Sequence, residues 1–584
     1  MKEYLYLWIH KHTWMGKDDQ DNSRYLFENV GVRLSSKYNV TCNFNEESKA
    51  LSINVEKGDT IDNYFSEYIN DLVAVIGNNG AGKSSLLKSL KYILTRDCRG
   101  SNTEYVLIYT DGKNIRCTST LEENIKLDLD KNITLDPNGE ELHKSDYLIF
   151  YSPFFNVNNG DLVGGFAGDF GGSADISTEN VIGIYSNKLL NSKYTSLDRL
   201  DSYSYYEQQI ELDFMANFLE HEKVLPMDLP AYFYVQSNHT MINSFKKDIQ
   251  ENKDEWLLKI FEKWKENAHS LQGRTYLSVF ACLYRAHRMN RISPTYVEFD
   301  KITEKTNIED AINKISEANN RPGIINDLKT LIDTIEKNSD SIDEWDGRYL
   351  FLIKRKEKTL KQIMKLHYDI KGEYLLLTPF LLFKRQRLST GEDNFIQFFA
   401  RFYNIWKENK TEVGNISSDK NIVYIIDEGE AGFHPEWQRI YIKTFIEWLK
   451  LIMDSLKMDG YILRDIPKFQ ILLSTHSPFV ACDLPKNNMV CLRLSKKTSL
   501  SDFKSVKIFN NPVKDDFGIG ARIIDLLKSD FFIDSTVGAL ATDKITGLID
   551  EIREKGHENL SAASKFILNN LGDQLIKSFL EEGE

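Results

Sequence analysis

Four residues near position 80 have the types and spacing of a phosphate-binding loop. The fixed positions of the pattern G-x-x-x-x-G-K-[ST] are filled by Gly77, Gly82, Lys83 and Ser84. Glycines let the backbone fold closely around phosphates, where successive N–H groups form a positive concavity. The lysine ammonium would reach the terminal phosphates, and the serine hydroxyl would bind Mg²⁺. We predict that a nucleotide contacts Gly77, Asn78, Asn79, Gly80, Ala81, Gly82, Lys83, Ser84 and Ser85.

Two carboxylates follow a second apolar segment. Asp427 and Glu428 come directly after the run 422–426, which has the composition of a buried strand. Asp427 is placed to hold Mg²⁺ together with Ser84, and Glu428 would approach an attacking water if the chain curls where the strand ends. The alternative is that both acids only end a buried strand with solvated charge.

Two further polar stretches are ambiguous when taken alone. The apolar run 471–473 ends in Ser474, Thr475 and His476, and a lone histidine after a strand is usually structural. In RLSTGEDN, Ser389 and Glu392 have the spacing of a capping box, which predicts the start of a helix. A helix N-terminus is also an anion site, so capping and phosphate binding are compatible at this position.

These groups need a scaffold that brings several strand ends together. The run 72–76 is continuously apolar, as in a strand of a parallel sheet that is buried on both faces. Helical periodicity follows at once, with apolar residues at Leu86, Leu87, Leu90, Ile93 and Leu94. The order is strand, glycine loop and helix, which predicts an α/β fold.

The order of these motifs along the chain resembles the ABC-type ATPase heads of the SMC, RecF and overcoming-lysogenization-defect families. The motifs are the P-loop, LSTGE, the hydrophobic run before Asp-Glu, and STHSP. The resemblance implies that Ser389, Thr390 and Gly391 close over ATP held by an opposite subunit. It also implies that Glu428 is the catalytic base and His476 the γ-phosphate switch. ATP, Mg²⁺ and a homodimer with ATP between two heads, or a higher oligomer, belong to this expectation.

A narrower resemblance covers the P-loop strand, residues 374–485 and the tail. The motifs DEGEAGFHPEWQR, THSPF and FG-x-x-A-R-I-x-DLL are similar to those of PtuA-type ATPases of the Septu anti-phage system, which also accompany some retrons. It implies a sensor that controls a separate HNH nuclease, with DNA or a retron-type RNA/DNA as a further partner. Gly429 departs from the usual proline and is expected to loosen the following turn. A Q-loop glutamine is not evident after the strand in 147–155.

Two other function classes stay open on the sequence. A self-contained nuclease of the overcoming-lysogenization-defect kind needs clustered carboxylates for Mg²⁺. The pair Asp128 and Asp130 lies upstream of the helical region, and the segment 477–584 has one histidine, His557. A RecF-like or SMC-like DNA-repair ATPase would share the same head. The sequence favours the sensor.

Length and composition predict a multi-lobed α/β protein. A chain of 584 residues is too long to form a single hydrophobic core, and a hydrophobic content of 41 % excludes disorder over the whole chain. We predict a P-loop ABC-type ATPase head with an N-terminal antiparallel β lobe and a large, mainly helical insertion. The predicted boundaries are an N-terminal ATPase lobe at 1–158, the insertion at 159–372, a C-terminal ATPase lobe at 373–494 and a helical tail at 495–584.

Charge and targeting signals narrow the location and the partners. A net charge of −13 argues against nucleic-acid binding over the whole surface. Lys354, Lys358, Lys361 and Lys365 have the spacing of one helix face, which is either a local phosphate-binding stripe or a solvated face. Arg285, Arg288 and Arg291 are expected on another basic face. The sequence offers no secretory signal or membrane span, so we expect a cytoplasmic protein with no membrane partner.

Overall fold

The structure is a computed structural model of the chain. It describes residues 2–17, 23–95, 103–122, 124–137, 139, 147–154, 173–178, 180–181, 199–218, 225–251, 254–288, 299, 301–345, 348–354, 357–373, 379–386, 388–408, 421–458, 468–494, 506–510, 518–529, 538–572, 576–578 and 580. None of the helices in these segments has the length and hydrophobicity needed to span a bilayer.

Strands dominate the described chain up to residue 175 and helices dominate it over 199–338, whereas strands and helices alternate over 348–494. The strands are β1 (Glu3–Lys17), β2 (Ser23–Arg33), β3 (Tyr38–Asn45), β4 (Ala50–Lys57), β5 (Ile69–Gly77), β6 (Glu104–Thr110), β7 (Ile115–Ser119), β8 (Lys126–Leu129), β9 (Ile133–Leu135), β10 (Tyr147–Tyr151), β11 (Ser173–Asp175), β12 (Tyr232–Ser237), β13 (Ser339–Trp345), β14 (Arg348–Lys354), β15 (Leu381–Arg385), β16 (Asn421–Asp427), β17 (Lys468–Ser474), β18 (Met489–Leu494) and β19 (Val506–Phe509). The helices are α1 (Lys83–Thr95), α2 (Arg199–Phe218), α3 (His239–Glu251), α4 (Glu255–Glu266), α5 (Leu271–Arg288), α6 (Ile308–Ala318), α7 (Ile324–Asn338), α8 (Glu357–Glu373), α9 (Thr390–Glu408), α10 (Pro435–Met458), α11 (Pro478–Cys482), α12 (Ile523–Ser529), α13 (Ala539–Lys555) and α14 (Ala562–Asn569).

A seven-stranded sheet forms the centre of the molecule, in the order β11-β10-β16-β17-β5-β18-β19. The strands from β11 to β18 are parallel, and β19 runs antiparallel at the edge. Alternate residues of β5 and β16 enter two separate cores, one shared with α1 and β1 and the other with α9 and α10. Burial on both faces explains why these strands are continuous apolar runs in the sequence. The predicted α/β class is confirmed.

The N-terminal part forms two smaller sheets, β2-β1-β6-β7-β9 and β3-β4-β8. The sequence of residues 1–70 predicts short strands, with a hairpin where NEESK joins YNVTCNF to ALSINV, and VLIYT-DGKN-IRCT predicts a second hairpin. Both hairpins are present, β3 with β4 and β6 with β7. The second hairpin has Gly112 in its turn at φ +91°, a conformation that favours glycine. The strands β1 and β2 span 15 and 11 residues, longer than the short strands expected there, and irregularities in register occur in β1, for example between Trp14 and Gly16.

One buried amide fixes the N-terminal strand to the central sheet. Gln470 of β17 is fully buried, and its Nε2 donates to the carbonyl oxygens of Tyr4 at 2.7 Å and Leu34 at 2.9 Å. Its Oε1 accepts from the backbone N–H of Tyr4 at 3.0 Å. These bonds satisfy backbone groups of a different sheet, so a single side chain fixes how the two layers meet.

The region between β11 and α9 combines helices with a four-stranded sheet in the order β13-β14-β12-β15. The sheet corrects the basic helix face expected at Lys354, because this residue ends β14 and is not helical. Arg285 is buried and donates to Met241 Sδ at 2.9 Å and Ser244 Oγ at 2.9 Å, so it faces the core. The lysines that remain on a helix are Lys358, Lys361 and Lys365 in α8.

The C-terminal part adds one strand and several helices. β19 completes the central sheet, and α12 packs against α11. Helices α13 and α14 pack on each other around a small apolar cluster formed by Leu548, Leu560 and Leu580. All five described cysteines are free thiols, at Cys42, Cys117, Cys282, Cys482 and Cys491.

Candidate nucleotide-binding site

Three predicted motifs lie side by side because their strands are parallel neighbours. β5 ends at Gly77, β17 at Ser474 and β16 at Asp427, and β17 lies between the other two. The register pairs Asp427 with Ser474, and Ser474 with Val75. The carboxyl ends of parallel strands meet at one edge, where ligands of open α/β sheets bind. The structure therefore brings the P-loop, the acidic pair and the His476 segment together.

The loop after β5 requires glycine at both ends of its pattern. Gly77 has φ +149° and Gly82 has φ +87°. A Cβ atom at Gly77 would lie 2.2 Å from the carbonyl oxygen of Leu492, and one at Gly82 would lie 2.9 Å from Cζ of Phe27. Helix α1 begins directly after the loop, at Lys83. The unpaired N–H groups of its first turn face the same edge of the sheet and form an anion site that fits a phosphate chain.

Lys83 is a buried cation held by the loop. Its Nζ donates to the carbonyl oxygens of Gly77 at 3.1 Å and Asn78 at 3.2 Å. Burial lowers the pKa of Lys83 to about 8, although the charges of nearby carboxylates, Glu428 foremost, oppose the shift. A desolvated ammonium gains strongly from an added anion. Lys83 is thus suited to bind a phosphate group.

A hydroxyl and a carboxylate form the candidate Mg²⁺ site. Oδ1 of Asp427 accepts from Ser84 Oγ at 3.0 Å and from Ser474 Oγ at 2.6 Å. Burial raises the pKa of Asp427, and the two hydroxyl hydrogen bonds oppose this rise. Magnesium prefers oxygen ligands and is commonly held by one or two protein groups together with substrate phosphates. Ser84 and Asp427 fit such a site.

Glu428 has a backbone conformation that is uncommon for a residue with a side chain. Its φ is +51°, in the left-handed region. Its N–H donates to Ser474, to the carbonyl oxygen and to Oγ, both at 3.1 Å. Burial alone would raise the pKa of Glu428, but the hydrogen bond and charge of His476, with the charge of Lys83, lower it. Glu428 is therefore ionised at neutral pH, as a general base must be.

His476 lies between the P-loop lysine and the second carboxylate. Its Nε2 is 2.6 Å from Lys83 Nζ and 3.1 Å from Oε1 of Glu428. A bare Nε2 accepts a hydrogen bond from Lys83, whereas a protonated Nε2 donates one to Glu428. The ring cannot do both through one nitrogen. The protonation state of Nε2 therefore decides whether His476 is bound to the P-loop or to the acidic pair.

The capping box predicted in RLSTGEDN is present at the start of α9. Ser389 N donates to Oε2 of Glu392 at 2.7 Å, and Glu392 N donates to Ser389 Oγ at 3.4 Å. Ser389 and Thr390 are exposed. A Cβ atom at Gly391 would lie 3.2 Å from the Trp437 ring, next to the turn that follows the acidic pair. Ser389, Thr390 and Gly391, which we call the signature residues, thus lie at the start of the helix beside residues 432–437.

Buried ion pairs hold the signature helix, and sequence reasoning missed them. Arg401 of α9 is almost fully buried and binds Glu207 of α2 through Nε at 3.0 Å and Nη2 at 2.9 Å. Arg385, just before α9, binds Glu211 at 2.8 Å and Asp393 at 2.7 Å. The available signal was the acidic residues set among apolar ones in QQIELDFM, but the sequence does not reveal their partners.

Gly429 lies at a crowded position directly after the acidic pair. That it loosens the following turn stays a prediction. A Cβ atom there would lie 2.5 Å from the Tyr441 hydroxyl, 2.6 Å from Cγ2 of Ile426 and 3.0 Å from Cε2 of Phe398. These neighbours are buried and cannot easily move. The glycine therefore permits close packing of α9 and α10 against the end of β16.

We expect Gly429→Ala to destabilise the protein by about 1–3 kcal/mol because the added methyl group overpacks the core. Denaturant unfolding measures the change. Gly547→Ala is the matched control, since no atom lies within 4 Å of a Cβ atom at this position in α13; it should stabilise the helix by about 0.5–1 kcal/mol. An unchanged midpoint for Gly429→Ala would show that the site has room.

The acidic pair considered for a nuclease lies in a small sheet. Asp128 belongs to β8, where Oδ2 accepts from Ser52 Oγ at 3.4 Å, and the N–H of Asp130 donates to the carbonyl oxygen of Ile53 at 3.1 Å. Among the described residues, no group of three or more His, Cys, Asp or Glu side chains is arranged to hold a metal ion.

The site has a phosphate loop between a parallel strand and a helix, together with a hydroxyl–carboxylate pair and a carboxylate–histidine pair. These features define a P-loop nucleotide-binding protein. The chain belongs to the AAA ATPase domain family, whose model matches residues 42–481. No curated protein matches it. AAA ATPases generally bind ATP and Mg²⁺, so membership indicates an ATP-binding ATPase.

Proposed function

We propose that this protein is the ATP-binding and ATP-hydrolysing sensor subunit of a cytoplasmic, bacterial anti-phage defence complex, and that it controls a separate HNH nuclease. The observation that carries the ATPase part is the juxtaposition of Lys83, the Ser84–Asp427 pair and the Glu428–His476 pair at one sheet edge. The defence part is supported by the resemblance of the motifs around residues 427–438 and 475–479 to PtuA-type ATPases.

Each group has a distinct task in hydrolysis. Lys83 and the N–H groups of the loop bind the phosphates, and Ser84 with Asp427 holds Mg²⁺. Mg²⁺, when bound, offsets the charge that develops on the transferred phosphoryl group. Glu428 orients water and accepts its proton. His476 contacts the γ-phosphate, because its ring lies beside Lys83.

The complete site needs a second copy of the chain. Ser389 and Thr390 are exposed at the N-terminus of a 19-residue helix, where the helix dipole favours an anion. In the proposed homodimer, two heads enclose two ATP molecules, and each signature contacts the γ-phosphate on the opposite P-loop. Higher oligomers and bound DNA or retron-type RNA/DNA are compatible with this arrangement.

Lys83→Ala should abolish ATP binding, and with it ATP hydrolysis, because it removes the buried cation that contacts the loop at Gly77 and Asn78. Isothermal titration calorimetry and phosphate release measure the two activities. Lys443→Ala serves as the control, since this lysine is exposed on α10. If Lys83→Ala bound ATP as tightly as the unaltered chain, the proposed nucleotide site would be wrong.

The nuclease partner is tested in cells. Bacteria are transformed with the chain alone, with an HNH nuclease gene adjacent to it, or with both, and phage plaques are counted. Protection should need both genes and an intact Lys83. Protection by the chain alone, with DNA cleavage by the purified protein, would instead support a self-contained nuclease.

A further inference from the structure

We propose that Glu430 and Thr475 are positioning residues that hold the backbone of the His476 segment (474–477) against the acidic segment (427–430). We further propose that ATP hydrolysis depends on this link. The inference rests on the proposed ATPase function and adds two residues that the motif assignments leave without a role. Neither residue faces the P-loop lysine in the hydrogen bonds described above.

The link runs through one threonine hydroxyl. Thr475 is fully buried, and its Oγ1 donates to Oε1 of Glu430, which is 4 % exposed. The same Oγ1 accepts from the N–H of Ser477 at 2.8 Å. The backbone N–H of Thr475 donates to the carbonyl oxygen of Val75 at 3.1 Å. Thr475 therefore joins the acidic segment, the P-loop strand and the chain on the far side of His476.

The buried position of the Glu430 carboxyl group is unfavourable for the stability of the fold. Burial raises its pKa to about 7, and the hydrogen bond from Thr475 opposes the rise. Its Oε2 has no hydrogen-bond partner among the described residues, and the hydroxyl of the neighbouring Tyr441 has none either. A buried carboxyl with one unpaired oxygen is a poor device for stability alone. Such groups concentrate at functional sites, where they hold another group in place.

The two acids Glu428 and Glu430 act on His476 at two different points. Glu428 contacts the imidazole ring, whereas Glu430 accepts a hydrogen bond from the hydroxyl of Thr475, the residue before His476. The ring lies within reach of both Lys83 and Glu428, whereas the backbone on either side of it is hydrogen-bonded at Thr475 and Ser477. Releasing the backbone should misplace the ring without changing the phosphate loop.

Thr475→Val tests the link because it removes the hydroxyl and keeps the shape. We expect kcat for ATP hydrolysis to fall by about 10- to 100-fold, while the Kd for ATP changes by less than about 3-fold. Thr475→Ser, which retains the hydroxyl, should recover most of the lost rate. Thr444→Val is the control, since Thr444 is equally buried in α10. Hydrogen exchange of the amides in 474–477 should become faster in Thr475→Val only.

Glu430→Ala provides a second, independent variant. If both residues act through one link, the double variant Glu430→Ala/Thr475→Val should be no slower than the slower single variant. Glu430→Gln keeps an acceptor for the hydroxyl and should retain more activity than Glu430→Ala.

Two results would overturn the inference: unchanged kcat and exchange in Thr475→Val, or a loss of kcat matched by an equal loss of ATP binding. Failure of the proposed function looks different. In that case the unaltered chain itself releases no phosphate, and the inferred dependence of hydrolysis on Thr475 is then wrong as well. The exchange measurement would still report whether Thr475 holds the His476 segment in place.

Discussion

Glu428→Gln should lower the rate constant for ATP hydrolysis by about 10²- to 10⁴-fold and leave ATP binding intact. Glutamine has the shape of glutamate but cannot accept a proton from water. The metal pair is preserved, because Asp427 keeps its bonds to Ser84 and Ser474. The variant should therefore accumulate with ATP bound, in a closed dimer that the active enzyme reaches only briefly.

Phosphate release measures the rate of hydrolysis, and calorimetry measures the affinity for ATP. Light scattering detects the dimer. Glu436→Gln is the matched control, because this acid lies eight positions further on, is exposed, and pairs with Arg439 at the surface. It should hydrolyse ATP like the unaltered chain. Hydrolysis at an unaltered rate by Glu428→Gln would exclude Glu428 as the base.

Mixing two inactive variants should restore hydrolysis to about a quarter of the normal rate. Lys83→Ala removes the phosphate ligand, and Ser389→Arg places bulk and charge at the exposed signature. In a mixed dimer, the P-loop of the second variant faces the signature of the first, so one composite site is intact. Random association makes about half of the dimers mixed, each with one site of two.

Ser389→Ala measures the capping role of Ser389 separately from any contact with the opposite subunit. Loss of a cap costs about 0.5–2 kcal/mol of stability, and this loss does not depend on a partner. If the mixture stays inactive although mixed dimers are detected by mass spectrometry, the signature does not act on the opposite subunit. Ser389 would then be a helix cap and nothing more.

The features that the sequence predicted are those written in local patterns. The P-loop, both hairpins and the capping box at Ser389 depend on residues a few positions apart. The buried strands were readable because burial on both faces leaves apolar runs. Lys354 was misassigned because a seven-residue strand, β14, interrupts what looked like one helix face.

The features that were missed depend on contacts between distant parts of the chain. Gln470 binds Tyr4 across 466 positions, and Arg401 binds Glu207 across 194. In sequence, these residues have the types common at protein surfaces. The crowding around Gly429 was not predictable for the same reason, since it comes from Phe398 and Tyr441. Only the fold reveals which polar residue is buried.

The position of β5 in the central sheet has a consequence for synthesis on the ribosome. Its two neighbours, β17 and β18, begin at Lys468 and Met489, which are 391 and 412 positions after the end of β5 at Gly77. At about 5–20 residues per second, the P-loop strand waits roughly 20–80 s for either partner. Until then, both edges of this apolar strand have unpaired backbone N–H and C=O groups, and an unpaired apolar strand is prone to aggregation. Chaperone demand during translation should therefore be set by the distance between β5 and β17, and shortening the intervening region should reduce it.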